Sequence, residues 1–174
     1  MIRHRNIISR EEAALLIIDV QEKFVPVIQE IKMVQENIMR LISGCKLLGV
    51  PIFYTEQYPK GLGQTIAPVK DLLTGIEPIE KQHFSVCFEK NLLFLLREKG
   101  CQQIILTGIE AHVCVLQSSL DLLQAGFQVY VVADAVASRK SIDKQFALER
   151  IASLGVTVAT TESVLFELVQ VAGS

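Results

Sequence analysis

Three side chains of complementary chemistry stand at comparable places along this chain of 174 residues: Asp19, Lys81 and Cys114. Asp19 closes the apolar run Ala14 to Asp19, Lys81 follows Ile76 to Glu80, and Cys114 lies a few residues beyond Gln103 to Thr107. A thiol beside a carboxylate can give up its proton as it attacks a carbonyl, and the carboxylate can later return that proton to a leaving amine. An ammonium close to both favours the thiolate and keeps the carboxylate ionised and oriented. Each residue also has a plainer reading. Cysteine often packs as a small apolar residue, a strand-end aspartate often fixes a turn, and most lysines are solvated.

The elements that must position Cys114 can be read from LTGIEAHVCVLQSSLD, Leu106 to Asp121. After Ala111 the residues Val113, Leu116, Leu120 and Leu123 recur at helical spacing, so a strand gives way to a helix within a few residues. A thiol in a first helical turn sits near unpaired amides and the positive end of the helix dipole, which predicts a thiol shifted toward thiolate. The same amides, those of Val113 and Cys114, are the candidate donors to an oxyanion. At about 100° per residue, Cys114 falls with Gln117, Ser118 and Asp121, opposite the apolar face. His112 adjoins Cys114 but points about 100° away from it, which makes it a wall or hydrogen-bonding residue rather than a base. His4 and His83 are isolated. Asp134 ends the run VYVVAD, and its expected work is to fix the next turn with Ser138 and Arg139 as partners.

Other strand-like runs are Pro51 to Thr55, Gln128 to Ala133 and Val156 to Ala159. Helical patterns cover Ile28 to Leu48, Glu89 to Lys99 and Ser141 to Leu154, each followed by glycine. Alternating strand and helix over a length suited to one domain, residues 1–174, predicts a doubly wound α/β fold with a parallel sheet. Continuous apolar runs such as LLIID fit strands covered on both faces. Ligands of such sheets bind where the strands end, which is where Asp19, Lys81 and Cys114 stand. Glu56 to Thr65, with Pro59, Gly61 and Gly63, reads as an irregular loop overhanging that edge, as a lid or a plain surface loop.

A formal charge of -2 and an aromatic share of 6% without Trp offer no field or stacking platform for nucleic acid. Half of the residues are hydrophobic, which predicts a partner subunit over some of the surface. No run reaches the roughly 20 apolar residues of a membrane span, and MIRHRNIISR lacks the apolar core of a secretory signal. A cytoplasmic location is expected. Cys45, Cys87, Cys101 and Cys114 have no paired spacing, so neither a disulfide framework nor a zinc site is indicated.

LLIIDVQEKF around Asp19, KQHFSVCF from Lys81 and GIEAHVCVLQSSLDLLQAGFQVYVVADAVASR around Cys114 resemble the isochorismatase-like cysteine hydrolases, in order and spacing, from Ala14 to Val169. The loop TEQYPKGLG, Thr55 to Gly63, is similar to that of the short isochorismatase-domain-containing proteins. The resemblance puts the family's catalytic Asp, Lys and Cys on Asp19, Lys81 and Cys114. It also implies a three-layer, Rossmann-like α/β/α fold with six parallel strands, a non-proline cis peptide near Ala111 to Val113, and dimers or larger oligomers. Family nicotinamidases hold a metal through Asp-x-His and a further His after the second strand, where this chain has Glu56, Gln57 and Tyr58. The expectation is therefore no metal and no cofactor, and hydrolysis of a small amide through a thioester. Phe24, Tyr58, Phe84 and His112 are candidate pocket walls. A weakly catalytic binding protein on the same fold, and a redox-active Cys114, are the competing functions.

Overall fold

Runs rich in Ile, Leu and Val become strands because branched side chains pack on a pleated surface and two covered faces need no polar alternation. A computed structural model describes residues 3–89 and 91–173. Among them are six strands: β1 (Ala13–Ile18), β2 (Ile52–Gln57), β3 (Ile79–Lys81), β4 (Gln103–Ile109), β5 (Gln128–Ala137) and β6 (Thr157–Ala159). Seven α-helices accompany them: α1 (Ile31–Leu48), α2 (Pro59–Leu62), α3 (Ala67–Leu72), α4 (Leu92–Glu98), α5 (Leu116–Gln124), α6 (Ser141–Ser153) and α7 (Thr161–Val169). All strand pairs are parallel, in the order β3-β2-β1-β4-β5-β6. This is the doubly wound order, with its switch point between β1 and β4.

Alternation along β1 divides the core in two. Leu15 and Ile17 join Val34, Ile38, Val69 and Val164 beneath α1, α3 and α7. Leu16 and Ile18 join Leu92, Leu96, Leu122 and Ile151 beneath α4, α5 and α6. Each such side chain contributes about 1.5–3 kcal/mol by leaving water, so the two layers hold the sheet rigidly between them. Helix α1 stops at Gly49, whose φ of 71° is the left-handed cap that the glycine predicted.

Several boundaries differ from the sequence reading. The loop expected at Glu56 to Thr65 instead extends β2 to Gln57 and coils Pro59–Leu62 into one helical turn, with proline at the start where its missing N–H costs nothing. The third strand begins only at Ile79, because Pro78 cannot donate to a ladder. The helix expected at Glu89 to Lys99 occupies Leu92–Glu98, and Lys90 lies outside the described residues. Asp134 sits where the pairing of β5 with β4 slips between Leu106 and Gly108. Its partners are not Ser138 and Arg139. Its carboxylate receives the Thr161 amide at 2.8 Å and hydroxyl at 2.9 Å, and its carbonyl receives Asn37 Nδ2 at 2.7 Å, tying β5 to α7 and α1. No helix among the described residues is long and apolar enough to cross a membrane.

Candidate active site

Strands β1 and β4 end side by side because Gly108 has no side chain. At its φ of 114° a Cβ would lie 2.0 Å from the Ile18 carbonyl oxygen, so only glycine permits the registered pair Ile18 and Gly108. Asp19 follows β1 with a φ of 50°, turning away from the sheet. Cys114 follows β4 in a π-helical turn, Ala111–Val115, that leads into α5. The cis peptide lies at Ile109-Glu110, upstream of the segment Ala111 to Val113 where the resemblance had put it.

The third side chain arrives from two strands away. Lys81 is the last residue of β3, and its Nζ reaches Asp19 Oδ2 at 2.7 Å with both side chains wholly excluded from solvent. The same ammonium donates to Gln57 Oε1 at 2.6 Å and to the carbonyls of His83 and Phe84, each at 3.2 Å. Thr55 Oγ1 donates to Asp19 Oδ1 at 2.7 Å. The Cys114 thiol is 7% exposed and within hydrogen-bonding reach of both the Asp19 carboxylate and the Lys81 ammonium. A buried charge is tolerated when it is paired and its remaining lone pairs and protons are used, and Lys81 meets both conditions.

Burial raises the Asp19 pKa, against the pull of the Lys81 charge and of the Lys81, Thr55 and Cys114 hydrogen bonds. Burial first, and then the negative charge of Asp19, push the Cys114 thiol up to about 12, with Lys81 opposing them. The expected thiolate is therefore not the resting form. Desolvation exceeds what one helical turn can offset, and the arrangement is a neutral thiol facing a carboxylate that burial has made more basic.

The face assigned to Cys114 also changes. Ser118 and Ser119 are wholly buried, and Ser118 Oγ accepts the Val86 amide at 3.1 Å. A π turn spends one more residue per turn than an α-helix, so the angular count from Val113 to Leu123 loses its phase between Ala111 and Val115. The Val113 amide is engaged by the Glu110 carbonyl at 3.1 Å.

The four candidate wall residues scatter. Phe24 packs against the core layer of α1, α3 and α7, on the other side of the sheet from the layer that includes Cys114. Tyr58 is 49% exposed, and its amide donates to the Lys81 carbonyl at 2.9 Å; Phe84 is 53% exposed, next to the loop that receives Lys81. His112 turns toward α6: Nδ1 contacts Ser138 Oγ at 2.9 Å, and the ring lines a cavity of about 200 Å³ with Asp143, Phe146 and Arg150. Among the described residues, Cys114 does not line that cavity.

Residues not anticipated from sequence hold the site together. Gln57 also donates to the Gln82 carbonyl at 2.8 Å, and its backbone is locked by Gln21, which accepts its amide at 2.8 Å and donates to its carbonyl at 3.0 Å. Glu110 is buried and receives the Arg139 amide at 2.9 Å and Nε at 3.0 Å, which fastens the start of the Cys114 turn to the end of β5. The spacing of Thr55 and Gln57, two apart and so on one strand face, was the available signal. Glu56 lies on the reverse face, where its carboxylate accepts the Thr65 amide at 2.7 Å.

Comparison with known proteins agrees with this fold. The isochorismatase domain model matches residues 13–163. Isochorismatase domain-containing protein 2 of Danio rerio is 43% identical over 163 residues, 94% of this chain and 82% of the relative. The structure of the MAR1 ribonuclease from Caenorhabditis elegans superposes with a TM-score of 0.89 at 39% identity, covering 95% of this chain and 85% of that one. An octameric hydrolase of unknown specificity from Escherichia coli, the YcaC gene product, shares the fold with a TM-score of 0.90 at 22% identity, over 98% of this chain and 85% of that one. By its matched domain and its relatives, the chain belongs to the isochorismatase family.

Proposed function

We propose that the protein is a cysteine hydrolase that cleaves an amide-type C–N bond of a small molecule through a thioester. The observation that carries this reading is the Cys114 thiol within reach of a buried Asp19–Lys81 ion pair whose contact is 2.7 Å. Asp19 takes the thiol proton as sulfur bonds to the carbonyl carbon. The amides of Cys114 and Val113 receive the oxyanion, the latter leaving the Glu110 carbonyl to do so. Collapse breaks the C–N bond while Asp19 returns the proton to the departing amine. Water then attacks the thioester, Asp19 accepts a proton from it, and the proton ends on sulfur as the C–S bond breaks. Lys81 favours the ionised form of Asp19 before each proton transfer and offsets the negative charge that develops on the substrate.

Self-association belongs to this reading. Phe84, Phe88, Phe94, Phe146 and Phe166 are more than half exposed, large apolar side chains on both sides of the sheet that a second copy could cover, and one structural neighbour is described as octameric. The high pKa of Cys114 favours a second reading, a weakly catalytic binding protein on the same scaffold.

Alkylation of Cys114 by iodoacetamide against pH, followed by peptide mass spectrometry, separates the two readings when run beside an amide panel and an RNA oligonucleotide. Asp19 raises the thiol pKa and Lys81 lowers it. Asp19→Asn is therefore expected to move the labelling midpoint down while abolishing turnover, and Lys81→Ala to move it up. Turnover undiminished in Cys114→Ala overturns the proposal. Labelling unmoved by either charge change, with no amide cleaved, leaves the binding reading.

A further inference from the structure

The reverse face of β2 presents a cleft unrelated to Cys114. A cavity of about 480 Å³ lies under the β2 and β3 edge, closed by α3 and the segment 73–78. Four carboxylates line it, those of Glu56, Asp71, Glu77 and Glu80, against one ammonium, Lys70, which already donates to Gln64 Oε1 at 2.6 Å. None of the four carboxylates forms an ion pair among the described residues.

Two features make this more than a patch of surface acid. Glu56 and Glu80 are registered partners on parallel strands, so their side chains stand next to each other on one face. Adjacent like charges on a sheet are destabilising, and Glu56 is only 4% exposed, its one protein hydrogen bond coming from the Thr65 amide at 2.7 Å. Tyr54, two residues earlier on the same face, is 3% exposed and lines the cleft, yet its hydroxyl has no hydrogen-bond partner among the described residues. The phenol is packed with its hydroxyl facing the cleft and its hydrogen-bonding capacity unused by the described residues, so a ligand in the cleft can take it.

We propose that this cleft is a binding site for an organic cation, an alkylammonium whose N–H groups are taken by Glu56, Glu80 and the Tyr54 hydroxyl. Charge-assisted hydrogen bonds to buried carboxylates are among the strongest a protein makes. The organic class follows from the donor set: among the described residues no three His, Cys, Asp or Glu side chains are grouped to hold a metal ion, whereas the cavity has the size of a small-molecule pocket. The inference does not depend on any role for Cys114.

Isothermal titration calorimetry with 1,4-diaminobutane, with butane-1,4-diol as the neutral control and magnesium chloride as the metal control, tests it. The expected result is saturable one-to-one binding of the diamine that salt weakens, absent for the diol, and weakened roughly tenfold or more in Glu56→Gln and in Tyr54→Phe. Glu80→Gln, at an exposed position, carries the same test if Glu56→Gln does not fold. No saturable diamine heat, diamine affinity equal in wild type and variants, or displacement of the diamine by stoichiometric magnesium each overturns the proposal.

Discussion

The two faces of β2 bury polar groups under opposite rules. Thr55 and Gln57 point to one face, where a carboxylate and an ammonium are joined at 2.7 Å and the hydroxyl and amide beside them each bond to one of the pair. Tyr54 and Glu56 point to the other, where a phenol has no hydrogen-bond partner among the described residues and a carboxylate stands next to its like. On the first face the protein completes its own electrostatics. On the second, among the described residues, the Thr65 amide is the one group that holds the buried Glu56 carboxylate, and the adjacent pair of carboxylates has no counter-charge of its own, which suits a cationic ligand.

The largest break in this comparison is Lys81→Met. It leaves the Asp19 carboxylate buried without its counter-charge, and a loss of about 3–5 kcal/mol is expected from the removal of one partner of a buried pair, read by urea denaturation at neutral pH. Lys81 lowers the Asp19 pKa, so the variant raises it further above the ordinary 3.8. The folded variant then binds that proton more tightly than the unfolded chain, which makes the deficit small below the unfolded pKa and larger as pH rises through the folded one. Adding Asp19→Asn removes the orphaned charge and is expected to recover much of the loss. A single variant within about 1 kcal/mol of wild type would mean that the ion pair compensates nothing.

Thr55→Val is a smaller break on the same face. It keeps the shape and β-propensity of the side chain but removes the hydroxyl that donates to Asp19 Oδ1 at 2.7 Å, and about 1.5–3 kcal/mol is expected for a hydrogen bond to a charged group. Its absence also raises the Asp19 pKa, since that bond is one of the contacts holding it down, so this loss too grows with pH. Equal stability of Thr55→Val and wild type from acid to neutral pH removes Thr55 from the compensated set.

Much of this was legible before any coordinates. An apolar run overlaps each of the six strands, glycine stops mark the ends of α1, α4 and α6, and strand exits together with the strand-to-helix change at Ala111 single out Asp19, Lys81 and Cys114. What escaped depended on tertiary neighbours or on local geometry outside the two standard periods. The π turn at Ala111–Val115 broke the angular count that set Cys114 against the core. Asp134 was paired with its sequence neighbours, while its partner Thr161 opens a helix that the sequence reading had not assigned. Gln57 reads as part of a loop because Pro59, Gly61 and Gly63 follow it, though β2 runs through it and it holds Lys81. Thr55 and Gln57 carry no motif of their own; their importance lies in which side of one strand they share.

The smallest effect has the opposite sign and is the sharpest test of the contrast. Glu80→Gln keeps the size of an exposed side chain and removes one of two adjacent carboxylates on the cleft face. Relief of a like-charge pair on a sheet contributes about 0.2–1 kcal/mol, and the exposure of Glu80 puts the expectation at the low end of that range, as a gain. Added salt screens the wild-type repulsion and so narrows the difference between the two proteins. On the face of Asp19 and Lys81, deletion of a charge is expected to cost stability; on the face of Glu56 and Glu80 it is expected to return some. A loss in Glu80→Gln that salt leaves unchanged would show that Glu80 has a structural partner, and the two faces of β2 would then obey one rule.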